Sequence, residues 1–141
     1  MNLEFLILLG GLLHFGILIA SSLVPKVLDW RASLEKLDGL SRQLVWVHGV
    51  FIVLVIVGFG LLSVLFANDL VNGTPLARAV CLFIALFWAA RLVVQLFVFD
   101  ATSYLKTTIL KVGYHGLTVV FMYHAVVYSL AAFLPASPLA H

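Results

Sequence analysis

Four long apolar runs, roughly residues 3–24, 44–67, 76–99 and 112–134, alternate with short polar stretches along this chain. Each run reaches the about 20 residues that cross a hydrocarbon core at a rise of about 1.5 Å per residue. Pro25, the Asn68-Asp69 and Asn72-Gly73-Thr74-Pro75 cluster, Asp100, and Pro135 with Pro138 stand where the runs end. Breakers and polar residues at such places terminate apolar helices. The pattern predicts an all-α, polytopic membrane protein. Its four transmembrane helices form an up-down-up-down bundle, one domain over residues 1–141.

The first connection carries a pattern of its own. Val27, Trp30, Leu34 and Leu37 recur at spacings of three and four, so they share one helical face, and Arg31 and Glu35 form an i,i+4 pair on the polar side. That spacing predicts a short amphipathic helix lying at the membrane interface between the first two spans.

Composition agrees with the pattern. Of 141 residues 64% are apolar and 10% charged, where soluble domains are about half apolar and a quarter charged. The net charge of +2 is too small and too scattered for nucleic acid, but its placement is informative. Lys26, Arg31, Lys36 and Arg42 lie between spans one and two, Lys106 and Lys111 between three and four, and the opposite side has only Arg78. This bias puts the basic loops in the cytoplasm and both termini outside, as in a bacterial inner membrane. The sequence Met-Asn-Leu-Glu lacks a basic n-region, so the first span is expected to be retained. One cysteine, Cys81, excludes an internal disulfide, and without Cys-x-x-Cys neither c-type haem nor an iron–sulfur cluster is expected.

The candidate chemistry lies in ionisable residues within the spans, which are costly in hydrocarbon and usually mark a site. His14 and His124 fall near the middle of spans one and four, and Arg91 lies about two turns inside span three with Gln95 one turn below. His48 and His115 sit about a turn inside the basic end of spans two and four. His14 shares a face with Gly10, Gly11 and Ser21, the small side of its helix, and should point inward. Cys81, Trp88, Arg91 and Gln95 form one stripe that faces the interior or a partner. His115 lies nine residues before His124, about half a revolution away. The deeper His124 is assigned to the interior and His115 to the headgroup layer.

Two inward histidines in a four-helix membrane bundle suggest axial ligation of haem b, by His14 and His124 on the iron. In this respect the chain resembles small membrane b-type cytochromes, although no helix carries two histidines on one face about four turns apart. His48 and His115, on diagonal helices and nearly level, form a second ligand pair. Arg91 suits a propionate, carboxylate or phosphate through its planar fork of donors.

Two functions follow from these residues. One is a redox or accessory protein of an energy-transducing membrane complex, with haem b as cofactor. The other is a haem-free structural or assembly subunit that docks larger membrane partners, or its own copies, through the Cys81–Gln95 stripe and the interfacial helix. A proton-coupled carrier or a membrane enzyme ranks third. Lipids are contacts in every case. An enzyme acting alone is disfavoured, because no Ser-His-Asp set, H-E-x-x-H or Gly-x-Ser-x-Gly occurs and the spans hold no acid beyond Glu4 at the outer edge.

Overall fold

The computed structural model describes residues 2–134; Pro135, Pro138 and His141 lie outside the described residues. Four helices are long and apolar enough to cross a membrane, and with their connections they make a small integral membrane protein. In chain order they are α1 (Leu3–Val27), α3 (Gly39–Leu65), α5 (Pro75–Val93, continued by a wider turn over Val94–Val98) and α6 (Thr108–Phe133). Between them lie α2 (Trp30–Glu35) and α4 (Ala67–Val71). Each spanning helix starts on a side-chain cap that satisfies an otherwise orphaned backbone N–H. Asn2, Asp38, Thr74 and Thr107 accept from Glu4, Ser41, Ala77 and Leu110 respectively.

The bundle is built on α1, which packs against both α3 and α6, while α5 packs along α6. With no hydrophobic drive between helices in lipid, close approach depends on small residues. A Cβ on Gly11 would lie 2.8 Å from Val64 Cγ2 and 3.0 Å from the Val64 backbone nitrogen, so α1 and α3 touch there almost backbone to backbone. A Cβ on Gly10 would sit 3.1 Å from the Tyr128 hydroxyl, which makes the corresponding contact with α6. Outward side chains such as Val50, Phe97 and Ile109 are large, apolar and exposed, as a lipid solvent requires.

Four details depart from the sequence expectations. Pro25 does not end the first helix: it stands in the last turn of α1, where its missing N–H costs one bond, and the chain turns only at Asp29. The second span starts at Gly39 rather than near Leu44, because the Asp38 carboxylate caps it. The polar stretch after span two is not a plain loop. Ala67 and Leu70 of α4 are buried, so this short helix closes one end of the bundle against α1 and α5. Finally, span three ends in a π turn. Tyr114 donates its hydroxyl to the Gln95 carbonyl at 2.8 Å, and the Phe99 N–H reaches back one residue further, to Val94 at 3.0 Å. Such turns often sit at functional positions.

The α1–α3 contact yields a paired prediction. Gly11→Ala should lower stability by about 1–3 kcal/mol through overpacking. Gly16→Ala, whose Cβ would meet nothing within 4 Å, should be neutral or raise it by up to about 1 kcal/mol through helix propensity. Thermal midpoints of the two variants in one detergent check this; equal shifts would contradict the backbone contact. At the start of α3, hydrogen bonds from the Ser41 side chain and backbone hold the Asp38 carboxyl below its usual range. The cap is therefore in place at neutral pH and is lost as pH falls through that depressed value. Amide exchange over the first turn of α3 should rise in acid for the native chain and stay flat for Asp38→Asn.

Candidate functional site

The most buried side chains of the chain converge at one point between α1, α5 and α6. His14, Trp88, His124 and Tyr128 all have no exposed surface. Their hydrogen bonds determine where the protons sit. The Trp88 indole has a donor and no acceptor, and its Nε1–H points at His14 Nε2 at 2.9 Å. His14 Nε2 is therefore the bare nitrogen, and its Nδ1–H donates to the Gly10 carbonyl one turn back at 2.7 Å. The same Nδ1 lies 3.1 Å from His124 Nε2, which is itself 3.0 Å from the Gly10 oxygen. His124 places its own Nδ1–H on the Val120 carbonyl at 2.7 Å. The His14 proton is thus shared between the Gly10 carbonyl and His124. With both rings neutral, every imidazole nitrogen has a partner inside the protein.

Around this triangle the packing is aromatic. The two imidazoles meet edge to face with centroids 4.2 Å apart, and Tyr128 stacks parallel to His124. Ser63 gives its hydroxyl proton to the Phe59 carbonyl, so Tyr128 must donate to Ser63, joining α3 to α6. Toward the basic end, Gln95 donates to Thr118 and to the Tyr114 carbonyl and completes a second link between α5 and α6. Cys81 is buried and directs its thiol at the Leu70 carbonyl of α4. The stripe of Cys81, Trp88 and Gln95 therefore faces inward, which removes it as a docking surface; Arg91 alone on that stripe remains half-exposed.

The packed pair does not fit a haem. Metal–nitrogen bonds of about 2 Å would put two axial imidazole nitrogens about 4 Å apart on opposite faces of a macrocycle. Here the facing nitrogens are 3.1 Å apart with the rings in contact, and His14 Nε2 is taken by Trp88. The second pair does not converge. His48 and His115 are exposed, and His115 lines a groove with Asp100 and Tyr114 to which His48 contributes nothing. Among the described residues, no three His, Cys, Asp or Glu side chains gather as a metal site.

Among the described residues two buried side-chain nitrogens have no partner, Arg78 Nε in the first turn of α5 and Arg91 Nε, and of these Arg91 is the one deep within a span. At about 1.5 Å per residue its Cα lies about 10 Å inside the Val98 end of its span. A helical Cβ points toward the N-terminus, which carries the side chain deeper, away from the nearer interface. Its guanidinium carbon sits 6.0 Å over the ring of Phe121, midway along α6. Nε is buried with no acceptor, and among the described residues no carboxylate lies within 4 Å; the salt bridge present is Arg31–Glu35. Snorkelling past Gln95 to Asp100, an option open to a long side chain, is not what the side chain does.

Trp88→Phe keeps the ring but strips His14 Nε2 of its donor, and should cost about 1–3 kcal/mol, the price of one buried unsatisfied group. Tyr128→Phe, which leaves the Ser63–Phe59 bond standing, should cost less. Denaturation in mild detergent checks the order; the reverse order would show that the indole donor does not secure the pair. No protein family, no characterised protein and no solved structure matches this chain, so its role follows from its own residues.

Proposed function

We propose that the chain is a haem-free accessory subunit of a bacterial inner-membrane complex. It lies with its basic loops in the cytoplasm and both termini outside, and docks on a partner that presents a carboxylate at mid-membrane to Arg91. The observation that carries this reading is the half-exposed guanidinium over Phe121, with Nε unpartnered and no acid beside it. A cation in hydrocarbon is retained where it does work. A cation–π contact repays part of its desolvation; a carboxylate in a bidentate pair repays far more. Lipid phosphates lie too far out to reach it at that depth. A second copy of the chain brings no acid to the level of Phe121, since its spans hold only Glu4 near one end. The partner is therefore a different helix. In this reading His14 and His124 hold the bundle in shape and present Arg91 through Trp88 and Phe121, whose rings lie 5.0 Å apart.

The test uses leucine-rich transmembrane peptides carrying a single central Glu, Gln or Leu, with association to the full chain measured by energy transfer in liposomes. The Glu peptide should bind at least about tenfold tighter than the Leu peptide, a difference of about 1.4 kcal/mol. Arg91→Leu should abolish the preference and Arg91→Lys should keep part of it. Because Arg91→Leu breaks no internal ion pair and loses only the contact with Phe121, it should leave the isolated chain within about 1 kcal/mol of its original stability, whereas breaking an internal pair would cost about 3–5 kcal/mol. Equal binding of all three peptides, or a loss of that size, would overturn the proposal. The purified chain should also show no Soret band, and a band that disappears in His14→Ala would restore haem ligation.

A further inference from the structure

Where α1 ends and α3 begins, α2 folds back across the boundary and leaves an open groove of about 520 Å³. The reversal is made at Asp29, whose φ of 47° lies in the left-handed region; among the described residues it is the one non-glycine that does so. Three cations, Lys26, Arg31 and Arg42, line the groove together with the indoles of Trp30 and Trp46. Of its two carboxylates, Glu35 is engaged by Arg31 at 3.7 Å, so Lys26 and Arg42 face the single remaining acid, Asp29. The walls belong to the membrane boundary: Lys26 is in the last turn of α1 and Arg42 in the first turn of α3.

We infer that this groove binds the phosphodiester headgroup of an anionic membrane phospholipid. Lys26 and Arg42 hold the phosphate, Arg42 through its planar fork and Lys26 as a point charge. Trp30 and Trp46 lie against the glycerol and the first methylenes, the level at which amphipathic indoles reside. Buried Leu34 closes the groove floor with an apolar surface that a free anion would not use. An acidic headgroup outcompetes a zwitterionic one because the groove carries one more cation than carboxylates. The site is separate from Arg91 and does not depend on how that residue is used.

The detergent-solubilised full chain, titrated with phosphatidylglycerol, phosphatidylcholine or sodium phosphate, tests the inference. Phosphatidylglycerol should raise the thermal midpoint by at least about 2 °C with saturation, and native mass spectrometry should show one retained lipid. The exposed pair Lys26→Gln/Arg42→Gln should abolish both effects without lowering the lipid-free midpoint. Lys106→Gln/Lys111→Gln, which removes the same charge elsewhere, should leave both intact. An equal response to phosphatidylcholine, an equal response to sodium phosphate, or equal losses in the two double variants would each overturn it.

Discussion

Hydrocarbon supplies no hydrogen-bond partner, and that constraint organises this molecule. Every polar group within the spans must be satisfied by another part of the same chain or by something that binds it. At the centre of the bundle the chain does this for itself. The Trp88 indole donates to His14, and the His14 Nδ1–H is shared between the Gly10 carbonyl and His124, a set of bonds that involves α1, α5 and α6 together. Tyr128 and Ser63 extend it to α3. Helices that gain little from apolar contact in lipid are thereby held in one arrangement. The small residues at Gly10 and Gly11 are what allow the backbones near enough for these bonds to form.

Arg91 obeys the same constraint differently. It lies on the same face as Trp88 and within reach of Phe121, yet among the described residues no acceptor meets its Nε. Deep in the bundle a network that is complete thus lies beside a charge, Arg91, that is not, while the other unpartnered guanidinium nitrogen, on Arg78, stands at the end of its span. A complete network serves the fold, because its members have nothing left to offer a ligand. An incomplete one offers a partner a place to add stability. The functional reading of the chain rests on that contrast.

Much of this was legible in the amino-acid pattern. Four spans and their order follow from apolar run length, and a short helix with its Arg31–Glu35 pair stands between the first two. That helix covers only Trp30–Glu35, with Val27 left in α1, Leu37 beyond its end and both exposed, so of the expected apolar face only Leu34 is buried. Helix ends were less legible. Asp38 pulls the start of α3 outward and α1 runs past Pro25, because capping and tertiary contact decide ends that hydropathy leaves open. The depth of His14 and His124 could be counted, and the half-turn between His115 and His124 separates an exposed ring from a buried one. What those rings bond to could not be counted. Two inward histidines at one depth fit a cofactor and fit each other equally well on spacing alone. The choice depends on the Trp88 indole and the Gly10 carbonyl, which come from another helix and from the backbone. The role of Tyr114 was missed for a similar reason: its hydroxyl takes a main-chain carbonyl on α5, a contact with no signature in side-chain spacing.

The central claim is that the deep histidines are a closed, neutral pair ordered by Trp88. Nitrogen NMR of the detergent-solubilised chain labelled at histidine reports it directly. Both His14 and His124 should appear as Nδ1–H tautomers, with a through-bond coupling from the Trp88 indole N–H to His14 Nε2. An Nε2–H tautomer at His14, or resonances displaced by a bound metal, would contradict the account.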